Sequence, residues 1–263
     1  MEHDAYYNAV AEKKAGIYPY KVQSTGNLAE WPFNPTDDGN TNHRHTSHLL
    51  GLFPYDDITP DKTPELAHAA LVSMQRRFDR SDFEHTEWTA VNAQGMYARL
   101  KDGEKAYEYL KLQGDTFTWP NLLSISPEGI ALAPTDVYII DGTFGVGEAT
   151  ADMLLQTHSD RIEFLPALPR QWAEGDIEGM TGPGAFEVDF SWDDYTLKSA
   201  KILSKAGNTV NIYKNAAANW QDVGVFKLDG EELTPVTVTE TSTLITFDTE
   251  AGAEYVLHKK NGS

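Results

Sequence analysis

Phe164-Leu-Pro-Ala-Leu-Pro169 is where the chain changes its pattern, and what lies on either side of it decides the fold class. Upstream, apolar residues recur at intervals of three and four. From Pro64 the stripe Leu66, Ala67, Ala70, Leu71, Met74, Phe78 predicts a helix with one buried face. Thr63 is placed as its N-cap, with Pro64 in the first turn. The same spacing predicts helices over Glu87 to Lys101, with Trp88, Val91, Gly95 and Ala98 on one side, and over Glu104 to about Leu112. Another is expected after the glycine-rich stretch Gly142–Gly147, with Ala151, Leu154, Leu155 and His158 on one face. A helix over Asp4 to Lys14, and a short one carrying His45 to Leu52 before Pro54 stops it, complete the set. Gly16–Asn42 and Trp119–Ile140 read as irregular loops, long enough to be functional in a compact domain. Downstream the period falls to two. Phe186-Glu-Val-Asp-Phe-Ser-Trp192 alternates large apolar and polar residues, as a half-buried strand does. Val210–Tyr213, Val223–Leu228, Val236–Val238, Thr243–Phe247 and Tyr255–Leu257 follow with Gly, Asn or Asp between them, which reads as an antiparallel sandwich. The expected fold is mixed, all-α over residues 1–160 and then all-β over 161–263.

Composition narrows the function. The 263 residues hold 21 Lys+Arg against 40 Asp+Glu, a net charge of −19, with 40% hydrophobic residues and no cysteine. That charge disfavours nucleic acid, whose binding needs clustered cations, and it disfavours an anionic membrane surface for the same reason. The hydrophobic share suffices for a sizeable core. Without cysteine there is no disulfide, no thiolate chemistry and no Cys-ligated zinc. No run of about 18 apolar residues is present to span a bilayer. Met1-Glu2-His3-Asp4 is acidic where an export signal is basic and then apolar.

His43-Arg44-His45-Thr46-Ser47-His48 is the densest polar cluster. On a helix His45 and His48 would share a face. A polar pocket for a hydroxylated or anionic ligand is one reading; structurally hydrogen-bonded histidines are the other. Metal is disfavoured, because zinc-binding helices place histidines at i and i+4 with a carboxylate nearby. Asp141 follows the apolar run Val137–Ile140 and precedes Gly142, Gly145 and Gly147. It is either a turn or capping residue or a carboxylate facing a cavity, desolvated by that run until its pKa suits a general base. The Walker lysine and the dinucleotide fingerprint are both missing. Glu30 and Trp31, with Phe33, form a loop in which a carboxylate neighbours aromatic rings, the composition of a sugar subsite or of a loop pinned to a core. Thr86-Glu87-Trp88 is similar, with a capped helix start as its competing reading. Together Glu30, Asp141, Arg44, the histidines, Trp31 and Trp88 point to carbohydrate, since many glycosidases use a carboxylate pair.

Five ordered blocks carry a closer likeness: HRHTSHLLGLFP (43–54), MYARLKDGEKAY (96–107), IDGTFGVGEATADMLLQTH (140–158), IEFLPALPRQWAEGDIEGM (162–180) and GAFEVDFSW (184–192). The chain resembles the C-terminal part of glycoside hydrolase family 95, the inverting α-L-fucosidases. The resemblance implies the C-terminal half of an (α/α)6 barrel over 1–160 and a small β-sandwich over 161–263. It implies Asp141 as the base, acting through asparagines that orient water, and Arg44 and His45 as sugar-holding residues. Glu30, Trp31, His48 and Trp88 are assigned to the substrate side or to its support. The family's general acid, in a Ser-Pro-Glu-Asn segment, and its Asn-x-Asn segment are expected in a preceding half of the barrel, so this chain alone is expected to be inactive. No metal and no cofactor is expected; the implied partner is a glycan, and the full-length enzyme would be extracellular or periplasmic. The departures from the family pattern are Thr143 where Asn is usual, Ile139 where Gln is usual, and Thr86-Glu87-Trp88-Thr89 followed by Asn92 where Thr-Gly-Trp-Ser with a further Trp is usual. They leave L-fucose and the related L-galactose both open. A non-catalytic carbohydrate-binding module and a sugar-blind interaction protein are the competing functions.

Overall fold

The computed structural model describes residues 5–31, 42–215 and 223–259. Contacts group the chain into two compact units, Met1–Glu84 and His85–Ser263. In the first, α1 (Ala5–Ala15) buries none of its side chains. The expected start of this helix at Asp4 lies outside the described residues. The helix α2 (Pro64–Phe78) buries Ala67, Ala70, Met74 and Phe78 of the predicted stripe, leaves Leu66 and Leu71 half-buried, and adds Ala69, Ser73 and Arg77. Thr63 stands at the N-cap position but does not cap with its side chain. Its hydroxyl instead accepts from the Thr59 amide at 2.8 Å and donates to the Thr59 carbonyl at 3.2 Å, closing the preceding turn. Leu28, Leu49, Leu52, Phe53 and Ile58 are also buried, and the Leu28 amide donates to Ser73 Oγ at 2.9 Å.

In the second unit, α3 (Glu87–Arg99) starts from a capping box between Thr86 and Thr89. Asp102 caps α4 (Gly103–Thr116) by accepting from the Lys105 amide. The run expected to be a glycine-rich turn is helical instead: α5 spans Ile140–Leu154. Its glycines serve packing. A Cβ on Gly145 would lie 2.6 Å from Val91 Cγ2, and one on Gly142 would lie 2.6 Å from Ser124 Oγ. The helix ends at Leu154, so Leu155 and His158 do not continue its face; Leu155 begins the short strand that pairs with Glu163–Phe164. The expected loop Trp119–Ile140 holds a two-residue ladder, β1 (Ile125–Ser126) on β2 (Val137–Tyr138), and a 3-10 turn at Ile130–Leu132.

The β region opens with β3 (Leu155–Gln156) and β4 (Glu163–Phe164). There follow β5 (Gly175–Gly182), β6 (Phe186–Asp193), β7 (Thr196–Ser204), β8 (Val210–Tyr213), β9 (Val223–Asp229), β10 (Glu232–Pro235), β11 (Thr239–Glu240), β12 (Leu244–Phe247) and β13 (Ala253–Lys259). A six-stranded antiparallel sheet has the order β10-β9-β13-β7-β6-β5, and a three-stranded one the order β11-β12-β8. Both feed one core: Phe186, Val188, Phe190 and Trp192 of β6 join Val210, Ile212, Ile245 and Phe247. Burial alternates strictly along β6, the pattern its sequence predicts. Val236–Val238 is not a strand; it links β10 to β11, and the Val236 amide donates to the Val225 carbonyl. Helices followed by antiparallel sheets are thus the architecture.

Helices and sheets of this unit are locked by polar groups. Lys101 ends the turn after α3 in the left-handed region (φ 67°) and places its ammonium on Glu163, whose side chain is 2% exposed. The α4 start is pressed on the chain after β4, where a Cβ on Gly103 would lie 2.4 Å from the Ala167 carbonyl oxygen.

Candidate functional site

Arg77 organises the polar residues of the first unit. It lies on the buried face of α2, its side chain 4% exposed, and its guanidinium holds the Glu30 carboxylate, itself 8% exposed. It also donates to the carbonyl oxygens of His43, at 2.9 Å, and His45. The Glu30 loop and the histidine segment are therefore tied to one cation on a helix, a planar fork serving several acceptors. Glu30 is accordingly the partner of an arginine. Trp31 beside it is 60% exposed, and Phe33 of the same loop lies outside the described residues.

The histidine segment differs from expectation. In place of a helix from His45 to Leu52 there is a 3-10 turn over Ser47–Leu49, with His45 outside it. His45 is exposed and sits against the His43 ring at a centroid distance of 4.8 Å. His48 is turned inward, so the two do not share a helical face. Burial, aided by the Arg77 charge, pushes the His48 pKa down to about 3, and its Nδ1 is buried without a hydrogen-bond partner among the described residues. His43 is lowered too, by desolvation first and then by His45, Arg44 and Arg77. Arg44 is half-buried, with Glu84 at 3.6 Å. No group of three or more His, Asp or Glu among the described residues could hold a metal ion.

Beside these residues lies a cavity of about 420 Å³, lined by Glu30, Trp31 and His48 and also by Tyr18, Tyr20, Tyr55 and Asp57. The last four were invisible to motif reading. The signal available for Tyr18 and Tyr20 was the aromatic density of Tyr18-Pro-Tyr20 inside a segment read only as loop; Tyr55 and Asp57 carried none.

Asp141 and Trp88 belong to the second unit. Asp141 occupies the first turn of α5, where the helix dipole favours a carboxylate. It is exposed, and Val137, Tyr138 and Ile140 are themselves exposed, so the apolar run does not desolvate it as expected. Its position is fixed from below: Thr143 Oγ1 accepts from the Ser124 amide at 3.0 Å, and Ser124 Oγ donates to the Ile139 carbonyl. A carboxylate held on a rigid helix start, open to solvent, can take a proton from water or accept hydrogen bonds from hydroxyls. Trp88 is half-buried in the first turn of α3, next to Glu87, which is fully buried. Among the described residues no helix is long and apolar enough to cross a membrane.

Comparison with known proteins names the lineage. The model described as the Glycosyl hydrolase family 95 catalytic domain matches residues 1–154, and that of the Glycoside hydrolase family 95 C-terminal domain matches residues 156–257. The chain is 29% identical over 244 residues to alpha-L-fucosidase 2 of Arabidopsis thaliana, covering 86% of this chain and 27% of that protein. It is 28% identical over 212 residues to the probable alpha-fucosidase A of Aspergillus oryzae, covering 73% of this chain and 28% of the relative. The corresponding Aspergillus niger protein is 27% identical over 230 residues, covering 80% and 28%. The chain thus spans little more than a quarter of the length of the curated relatives it matches, and it belongs to glycoside hydrolase family 95.

Proposed function

We propose that the chain is part of an inverting α-L-fucosidase-like glycoside hydrolase, which releases terminal L-fucose or the related L-galactose from glycans. The observation that carries this reading is Asp141: a solvent-open carboxylate on a rigid helix start, in the block where the family has its base. Residues 1–160 supply the C-terminal half of an (α/α)6 barrel and 161–263 a closing β-sandwich. The exposed Leu132 (94%) and Phe144 (71%) support a surface meant to be covered by further helices.

In the whole enzyme Asp141 draws a proton from a water on one face of the sugar. A Glu outside this chain protonates the leaving oxygen on the other, the two carboxyls standing about 6.5–9.5 Å apart. Arg44 and His45 hold the sugar, with Trp31, His48 and Trp88 on its side; Glu30 acts through Arg77, by fixing its loop. No metal or cofactor takes part, and the enzyme works extracellularly or in a periplasm. The test is to join this chain to the preceding portion of the enzyme and assay fucoside hydrolysis. Turnover is expected from the joined protein and none from the 263 residues alone, with Asp141→Asn lowering kcat by about 10²–10⁴-fold. Full turnover by Asp141→Asn would overturn the assignment.

A binding module without chemistry is the second reading, favoured by the aromatic-lined cavity. It is distinguished by sugar binding without turnover in the joined protein.

A further inference from the structure

Asp141 sits in the first turn of α5, and that turn has no cap of its own. Ile139 stands at the N-cap position in extended conformation, φ −127° and ψ 116°, and its apolar side chain accepts nothing from the turn. The leading amides of a helix have no partner inside it, so an uncapped first turn frays. A carboxylate carried on a fraying turn has no fixed position.

The hold comes from Ser124, which lies just before β1 and is 1% exposed. Its hydroxyl donates to the Ile139 carbonyl, and its own carbonyl accepts from the Ile139 amide at 3.1 Å. Its amide donates to Thr143 Oγ1 at 3.0 Å, while the Thr143 hydroxyl donates back to Ser124 Oγ at 3.3 Å. Residues 139 and 143, the two ends of the turn, are thus fastened to one serine. Asp141 is midway between them.

Ser124 is itself anchored. It bridges Thr118, and the next residue, Ile125, donates its amide to the Phe117 carbonyl at 2.9 Å. Gln113, buried on the last turn of α4, donates its side-chain amide to the same Phe117 carbonyl at 3.3 Å and accepts from Thr118 Oγ1 through its backbone carbonyl at 2.8 Å. Gly142 lets α5 rest on this base, for a Cβ there would lie 2.6 Å from Ser124 Oγ and 2.9 Å from Gln113 Nε2. Asp141, turned about 100° from Gly142 around the helix, is left on the open side.

We propose that Ser124, with Thr143 as its partner, is a positioning residue for the Asp141 carboxylate, replacing from outside the helix the cap that Ile139 cannot supply. The role rests on the reading of Asp141 as the base; the clasp itself does not. A reacting group misplaced by about 1 Å can lose about 10²-fold in rate, so the loss of one hydroxyl here appears in turnover rather than in substrate affinity.

The test has two parts. In the 263-residue chain, Ser124→Ala should speed amide hydrogen exchange at Thr143 and Phe144 about fivefold, as the loss of one hydrogen bond does, and leave Met153 later in α5 unchanged. In the chain joined to the preceding portion of the enzyme, Ser124→Ala should hydrolyse 2′-fucosyllactose with kcat lowered about 10–100-fold and KM within about threefold of the parent. Thr143→Val keeps the side-chain shape, removes the hydroxyl and should act in the same direction. The double variant should lose less than the product of the two, because both break one clasp. Lys101→Met is the control for stability alone. That ammonium reaches Gln156 at 3.0 Å, beyond the far end of α5, and its loss should lower the urea midpoint while kcat stays within about threefold. Unchanged exchange in the first turn, or kcat within about threefold of the parent in both Ser124→Ala and Thr143→Val, would overturn the proposal. An equal fall of kcat in Lys101→Met would do the same. If Asp141→Asn keeps full turnover, the base assignment fails and takes this role with it. If Asp141→Asn loses turnover and Ser124→Ala does not, the positioning role alone fails.

Discussion

Replacing Arg77 by Met should do more damage than any other single change in the first unit. Methionine keeps most of the apolar stem and removes the cation. The Glu30 carboxylate, 8% exposed, is then left without its guanidinium, and the carbonyl oxygens of His43 and His45 lose a charged donor. Removing the cation of a buried ion pair together with its two carbonyl contacts costs about 3–5 kcal/mol. With a urea m-value of about 2 kcal/mol/M, that is a fall in midpoint of about 1.5–2.5 M. Glu30→Gln should cost less, about 1–3 kcal/mol, because Arg77 keeps its two carbonyl partners. The double variant should cost clearly less than the sum, with a coupling energy of about 1.5 kcal/mol or more. The assay is urea unfolding followed by the fluorotryptophan signal of Trp31, the one tryptophan in residues 1–84. A midpoint shift under about 0.3 M for Arg77→Met, or additive single changes, would refute the claim that this arginine holds the site together.

Three further outcomes follow from the geometry. Gly145→Ala forces a methyl to within 2.6 Å of Val91 Cγ2 and should destabilise the second unit by about 1–3 kcal/mol in thermal unfolding, with recovery when Val91→Ala is added. The His48 pKa lies near 3 in the fold against an ordinary 6.5, so above pH 6.5 both folded and unfolded chains hold it neutral; below that value only the unfolded chain takes up the proton. Stability should therefore fall between pH 6.5 and 3 with a limiting slope of about 1.4 kcal/mol per pH unit from this group, and urea midpoints of His48→Gln should lose that component. Lys101→Met removes the ammonium from Glu163, which keeps Arg161 at 3.8 Å and the Asn215 side-chain donor at 3.2 Å, and should cost about 1–3 kcal/mol by the same measurement.

Periodicity reads best where burial is one-sided. The stripe of α2 and the alternation of β6 are both in the sequence because each element puts one face on a core. Gly175–Gly182 escaped notice because β5 is half-exposed to exposed throughout, carries glycines and breaks register between Ile177 and Met180. A bulge between Ser191 and Trp192 likewise offsets β7 from its partner, although Leu197, Ala200, Ile202 and Ser204 are buried along it. The helix starting at Ile140 was misread because glycine normally argues for a turn. Here Gly142 and Gly145 stand where neighbouring side chains come too close for a Cβ, and their use depends on residues 113, 124 and 91, which no local window contains.

The same distance dependence governs the carboxylates. Glu30 and Asp141 look alike in sequence, each an acidic residue beside large apolar neighbours, and the structure gives them opposite roles. Glu30 is closed off by an arginine 47 positions later, whose place on the buried stripe, seven residues after Ala70, was the one legible hint. An arginine on an apolar stripe must find anions or carbonyls to justify its desolvation, so such a residue predicts a clamp before its partners are known. Asp141 has Ile139 and Ile140 before it and Phe144 after it, but Ile140 and Phe144 project into solvent and leave the carboxylate open. Flanking hydrophobicity therefore says little about whether a carboxylate is desolvated. What decides it is what reaches the carboxylate from elsewhere in the chain: Arg77 closes off Glu30 although Trp31 beside it is 60% exposed, whereas Asp141, the residue proposed to do the chemistry, stays exposed.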